Sequence, residues 1–387
     1  MTISENSRAT PQFRPSRFFL RGKVFYNYGI MTRAFNFSPG PCGLPDAVME
    51  KAKEEFLNYG GEGASVMELS HRGAAFMEVC ERARTLLCEL LGIGDDFAVL
   101  FLSGGATGQA ATVPMNLIAD PRQPAAYAIT GHWSRRASEE AKRYCRVHVA
   151  ADTKDQGYAT LPARLDVPND AVYLHYADNE TIHGVEFPRP PSAPVPLVSD
   201  MSSNILSRPL DVEDYGVIYG GAQKNLGPAG VAIVIVRKSL IHPRAQTPAV
   251  WDYAKNMRAD SMVNTPPTFP IYMMGLVLEW LKNEGGPAEM ERRNREKSRL
   301  LYERIDKNEF YNNNVPSECR SRMNVPFFLK DEKLTGDFLK GAGEIGMIGL
   351  KGHSVLGGCR ASLYNSMPEE GVRQLVSYMD DFEKRRG

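Results

Sequence analysis

The chain has 387 residues, long for one hydrophobic core, so two domains are expected. Its 46 basic and 46 acidic side chains cancel to a formal net charge of zero, and no apolar run approaches the roughly 18 residues a membrane helix needs. Neither nucleic acid nor membrane is therefore an expected partner, and substrate must be read by local groups.

The first thirty residues stand apart in composition. Arg8, Arg14, Arg17 and Arg21 face a single acid, Glu5, with Phe18-Phe-Leu20 between basic residues. We read residues 1–31 as a tail ahead of a second start at Met31, which leaves a cytoplasmic protein. Import into an organelle on a transit segment is the alternative. From Pro45 onward helix and strand alternate. Ala47 to Tyr59 and Ala75 to Leu91 carry apolar residues at helical spacing. Short apolar runs follow at Val99–Leu102, Tyr127–Ile129, Val147–Val149, Val172–His175, Leu197–Val198, Val217–Tyr219 and Ala232–Val236. Seven such runs among helical stretches predict a mostly parallel, seven-stranded sheet covered on both faces, with ligands at the strand C-terminal ends. Beyond about residue 290, a strand candidate at Met323–Leu329 and an amphipathic helix after Pro368 predict a smaller α+β domain. The expected division is 47–289 for the large domain, and 32–46 with 290–387 for the small one.

Chemistry enters at Gly216-Val-Ile-Tyr-Gly-Gly-Ala-Gln-Lys224-Asn-Leu-Gly-Pro, where one lysine sits in a Gly/Pro-rich turn between apolar runs. Alone, such a lysine is a solvated loop residue. A second feature changes the balance: Asp200 ends the run Pro196-Leu-Val-Ser-Asp, 24 residues earlier. An acid at a buried strand end is costly unless it meets a cation. A Schiff-base lysine and an aspartate facing a protonated pyridine nitrogen are the two protein groups that pyridoxal phosphate requires. Ser103-Gly-Gly-Ala-Thr-Gly108 adds a small-residue turn ahead of a helix expected to begin near Gln109, a place where backbone amides favour a phosphate dianion.

Further segments carry a resemblance: Phe35-Asn-Phe-Ser-Pro-Gly-Pro41, Ser65-Val-Met-Glu-Leu-Ser-His-Arg72, Asn179-Glu-Thr-Ile-His-Gly184, Ser202-Ser-Asn-Ile-Leu-Ser-Arg-Pro209, Asn264-Thr-Pro-Pro267, Ser321-Arg-Met-Asn-Val-Pro326 and Arg360-Ala-Ser-Leu-Tyr-Asn365. With the lysine block they run in order from about Arg33 to the C-terminus. The chain resembles the phosphoserine aminotransferases, class V pyridoxal-phosphate enzymes with the aspartate-aminotransferase type of α/β fold (fold type I). The resemblance implies transfer of an amino group from glutamate to 3-phosphohydroxypyruvate, giving 3-phosphoserine in serine biosynthesis and, in bacteria, serving pyridoxine biosynthesis. It implies Lys224 as the catalytic residue and pyridoxal phosphate as cofactor, held by Ala106, Thr107, Trp133, Thr181, Asp200, Gln223 and Lys224. Asn264 and Thr265 are implied to come from the neighbouring subunit, hence a homodimer with shared sites. For substrate it implies His71, Arg72, His353 and Arg360, the last for the α-carboxylate.

One position departs from the pattern. The family usually has an arginine after the histidine of Lys351-Gly-His-Ser-Val, and here Ser354 stands. Bacterial members often carry another arginine where Thr107 stands. Three other readings remain open at this stage: an aminotransferase shifted to an unphosphorylated substrate, a non-catalytic relative, and a cysteine desulfurase. The six cysteines, Cys42, Cys80, Cys88, Cys145, Cys319 and Cys359, lack CxxC or zinc spacing and read as reduced, mostly buried thiols. Cys359 is the only one beside a site residue in sequence, and its Gly-Gly-Cys-Arg-Ala setting favours a small apolar filler. His175 and His183 fit no standard metal spacing, so no metal site is expected.

Overall fold

The computed structural model describes residues 33–387, together with the backbone of a short antiparallel pair, Ser16–Leu20 with Lys23–Asn27. Apart from the backbone of that pair, residues 1–31 lie outside the described residues, and so does their reading as a tail or transit segment.

All seven predicted strands join one sheet. Its order is Phe97–Gly104, Gly230–Arg237, Val217–Gly221, Leu197–Asp200, Leu174–Ala177, Pro124–Ile129 and Arg146–Asp152. Only Gly230–Arg237 runs against its neighbours. The others are parallel. The edge strand Phe97–Gly104 shows why both faces need cover. Phe97, Val99 and Phe101 join one core cluster and Ala98, Leu100 and Leu102 the other, with period two. The first cluster is closed by the helices Ala74–Leu91 and Thr268–Asn283, the second by Ala106–Leu117 and His132–Ala141.

A third cluster lies outside this sandwich. Phe37, Val325, Phe327, Phe338, Ala361 and Phe382 meet there over the strands Asn324–Leu329 and Cys359–Ser362, backed by the final helix Glu369–Arg386. The long helix Gly286–Asp306 spans both regions, with Met290 in the first core and Leu301 in the third.

Two boundaries differ from expectation. The first helix is Asp46–Glu54 and stops short of Tyr59. Beyond it Asn58 accepts the Gly63 amide at 2.7 Å and the Tyr59 amide bonds Ala64, so the loop satisfies its own backbone. The helix after the glycine turn begins at Ala106, three residues before Gln109. Gly104 turns the chain at φ +108°, a conformation suited to glycine, and Gly105 is the extended cap.

Candidate active site

The site lies where the parallel strands end. Asp200 closes its strand between Ala177 and Tyr219 on the neighbouring strands. Its Oδ1 accepts from Ser202, from the amide at 2.9 Å and the hydroxyl at 2.5 Å, so Oδ2 is the oxygen left for a cation. Lys224 follows the next strand in a tight turn, because the amides of Lys224, Leu226 and Gly227 all converge on the Ala222 carbonyl. Burial lowers the Lys224 pKa first, and Arg360 adds to that effect. Asp200 and Glu180 oppose it. A depressed amine pKa leaves more of the neutral, nucleophilic form at neutral pH.

The loop that covers the lysine comes from far away in sequence. A Cβ on Gly40 would stand 3.0 Å from the Lys224 side chain, so a larger residue there would press on the amine-bearing stem. The Cys42 thiol donates to the Lys224 carbonyl at 2.9 Å, and the Tyr364 hydroxyl holds the Pro39 carbonyl at 2.6 Å. Cys42 is therefore the cysteine at the site, a contact that sequence neighbourhood alone did not reveal. Burial pushes its thiol up to about 12, which keeps it protonated and unreactive. Cys359 is fully buried in the third core cluster, its thiol likewise pushed up to about 12 by burial, as the filler reading required.

Thr181 joins the two ends of the site. Its hydroxyl accepts from the Trp133 indole at 2.9 Å, and its carbonyl accepts from Arg360 Nη1 at 3.0 Å. Arg360 is buried, and its Nε has no partner. A buried guanidinium with an unused donor can pair with an anion. Gln223 is half-buried, its side chain folded back towards Gly221.

Glu180 was missed by the sequence reading. It is fully buried and caps the helix that carries Trp133, accepting the Trp133 amide at 3.0 Å and the Ser134 amide and hydroxyl at 2.8 and 2.7 Å. A Cβ on Gly131 would come within 2.4 Å of its carboxyl carbon, so this close approach needs glycine. The only signal was its place inside Asn179-Glu-Thr181. The same motif's Asn179 bonds Ser203 and Asn324, both at 2.8 Å, linking the site to the strand Asn324–Leu329. From behind, the buried Lys297 amine holds the carbonyls of Leu363, Tyr364 and Met367, fixing the segment whose Asn365 amide bonds Asn225 beside the lysine.

The remaining predicted residues are placed as follows. Ala106 and Thr107 form the first turn of their helix, where Cβ atoms built on Gly104, Gly105 and Gly108 meet nothing within 4 Å. Asn264 is half-buried and reaches Ser103 of its own chain at 3.4 Å, beside exposed Thr265. His353 lies in the loop after Leu350 with its ring 5.8 Å from that of His132. His71 and Arg72 sit in the turn before the helix Ala74–Leu91, and no hydrogen bond or ion pair among the described residues joins them to Lys224 or Arg360. His175 and His183 have separate surroundings: His175 bonds the Tyr219 hydroxyl at 2.8 Å, and His183 packs on Tyr158.

These residues fit pyridoxal phosphate. A depressed lysine amine, an acid with one oxygen spare, an open helix N-terminus and an indole fixed through Thr181 are the donor set that the group needs.

Comparison with known proteins agrees. The family model for class-V aminotransferases matches residues 34–375. A phosphoserine aminotransferase of Stenotrophomonas maltophilia (strain K279a) is 51% identical and one of Janthinobacterium sp. (strain Marseille) 50% identical, each match covering 92% of this chain and all of the relative. Among solved structures, the phosphoserine aminotransferase of Bacillus circulans subsp. alkalophilus superposes with a TM-score of 0.90 at 43% identity over 92% of this chain and all of its own. Another, from a study of radiation damage to the Schiff base of a phosphoserine aminotransferase, gives 0.89 at 44% identity with the same coverage. The chain belongs to the class-V aminotransferases, and within them to the phosphoserine aminotransferase family.

Proposed function

We propose that the chain transfers the amino group of L-glutamate to 3-phosphohydroxypyruvate, giving 3-phospho-L-serine and 2-oxoglutarate, as a homodimer with shared sites. The observation that carries the reading is the run Trp133–Thr181–Arg360 beside Lys224 and Asp200, with one Arg360 donor unpaired. Pyridoxal phosphate, when bound, supplies the electron sink for the bonds at the substrate α-carbon. Lys224 attaches it, and its amine, once free, takes the proton from the α-carbon and returns it as acid. Asp200 provides the counter-charge for a protonated ring nitrogen, and Trp133 a flat wall for the ring. Arg360 binds the α-carboxylate, which glutamate and phosphoserine share. His353 faces the distal anion, with His71 and Arg72 completing that end.

The dimer is part of the proposal. Phe56 and Leu57 are 46% and 79% exposed, and with Leu44, Met49, Phe269 and Met273 they line an apolar cavity of about 600 Å³ that suits a second copy. Asn264 and Thr265 would then reach the phosphate turn of that copy. We keep the division into a large unit 47–289 and a small unit of 32–46 with 290–387, which the packing of Phe37 with the C-terminal residues supports, although Leu44 and Met290 pack with the first core. Six free cysteines suit a cytoplasmic setting.

Ser354 provides the test. Replacing it by arginine restores a cation at the distal anion, and one charge-assisted contact is worth ~1.5–3 kcal/mol, about ten- to a hundredfold in affinity. The KM for phosphoserine should fall by that factor in Ser354→Arg, and that for glutamate by less, because its distal group carries less charge. An unphosphorylated amino acid that outperforms phosphoserine in the unmodified chain would instead support a shifted substrate.

A further inference from the structure

Three histidines from three different elements lie within electrostatic reach of one another beside Arg360, and the reaction as derived uses only His353. His132 opens the helix that carries Trp133, and its ring lies 5.8 Å from that of His353 and 5.0 Å from the Trp133 ring. His183 follows Thr181, the residue that holds Arg360, by two positions. It is buried, with its ring 5.0 Å from that of Tyr158, and its Nδ1 has no hydrogen-bond partner. His353 accepts the Val355 amide on Nδ1 at 3.2 Å, which leaves Nε2 for a ligand.

The charges around the cluster oppose protonation when no anion is present. Burial draws His183 down to about 4, and His132 and His353 add to it. Burial also lowers His132, helped by His353, Arg136 and Arg135 from its own side, with only Glu139 opposing. Burial lowers His353, and Arg360 adds to it. Tyr158, packed on His183, is itself bonded to Arg135 and stays neutral because burial raises its pKa. Among the described residues, Glu139 is the one carboxylate that opposes the fall at His132. Such a pocket holds an unused, buried imidazole nitrogen, and the fixed cations around it are Arg360, which the α-carboxylate occupies, Arg135 and Arg136 beside His132, and Arg72, assigned above to the distal end. A phosphate monoester dianion brought into it would reverse the balance, since each ring then gains an anion to hydrogen-bond.

We propose that His132 and His183, together with His353, form the seat for the substrate's distal phosphate in place of an arginine at Ser354, taking up a proton as the phosphate binds. The proposal rests on the phosphoserine reading above. Phosphate recognition then depends on pH in a way that carboxylate recognition by Arg360 does not.

The experiment measures KM for phosphoserine and for glutamate with the holoenzyme between pH 6.5 and 9, where the phosphate stays largely dianionic. The ratio of the two cancels the shared effects of Lys224 and of the substrate amines. If one proton enters with the phosphate, the ratio should climb with pH, at most about tenfold per unit. His132→Asn and His183→Asn should each flatten that climb. Each should also raise the phosphoserine KM at pH 6.5 by about tenfold or more, one charge-assisted contact, while the glutamate KM stays within about twofold. A ratio independent of pH in the unmodified holoenzyme overturns the proposal, as do variants that shift both substrates alike, the mark of a role in merely placing Trp133 or Thr181. A chain that turns over glutamate with other keto acids but never phosphoserine overturns it through the reading beneath it, a distinguishable failure.

Discussion

Lys224→Ala should give a folded chain that transfers no amino group and leaves no borohydride-trapped pyridoxal phosphate on the protein. The turn that holds Lys224 is built by backbone bonds to the Ala222 carbonyl, and those do not need the side chain. The amine itself has no substitute: Lys297, the other buried lysine near this region, is committed to three carbonyls behind the site. Attachment and α-proton transfer therefore vanish together. A reducible link that survives in Lys224→Ala would move the cofactor lysine elsewhere and take the rest of the site with it.

Arg360→Leu should cost nearly as much, and evenly. The guanidinium is buried, tied once to the Thr181 carbonyl, and has its Nε free. Two charge-assisted bonds to an α-carboxylate amount to roughly 3–6 kcal/mol, about a hundred- to ten-thousandfold in kcat/KM. Because phosphoserine and glutamate present the same α-carboxylate, both half-reactions should fall together. A loss confined to phosphoserine would assign Arg360 to the phosphate instead. The contrast with Ser354→Arg, where the effect should favour one substrate, makes the two ends of the pocket separable by kinetics.

How far the sequence carries this account depends on whether the information is local. Apart from the largely exposed edge strand Arg146–Asp152, the strands of the large sheet are short, mostly buried apolar runs, and a run such as Val231 to Val236 announces itself without knowledge of its neighbours. Lys224 and Asp200 were legible for the same reason, since each ends or follows such a run. The overshoot of the first helix past Glu54 has a local cause too: Phe56 and Leu57 continue the apolar spacing, yet both face outward, so periodicity marked a surface patch as core. Glu180 was not legible as a cap, because the helix it caps starts 48 residues earlier and the contact exists only in space. Cys42 is 182 residues from the lysine whose carbonyl it bonds, and no spacing rule links them. The histidine cluster assembles from three loops and helix ends that only the fold brings together.

The central claim, a lysine-bound cofactor set beside a seat for a phosphorylated amino acid, is met most directly by a single half-turnover. Holoenzyme mixed with excess 3-phosphoserine and no keto acid should lose its cofactor absorption band and release one 3-phosphohydroxypyruvate per chain, far faster than with serine at the same concentration. A serine half-reaction as fast as the phosphoserine one, or a band that phosphoserine leaves unchanged while glutamate bleaches it, would contradict the account.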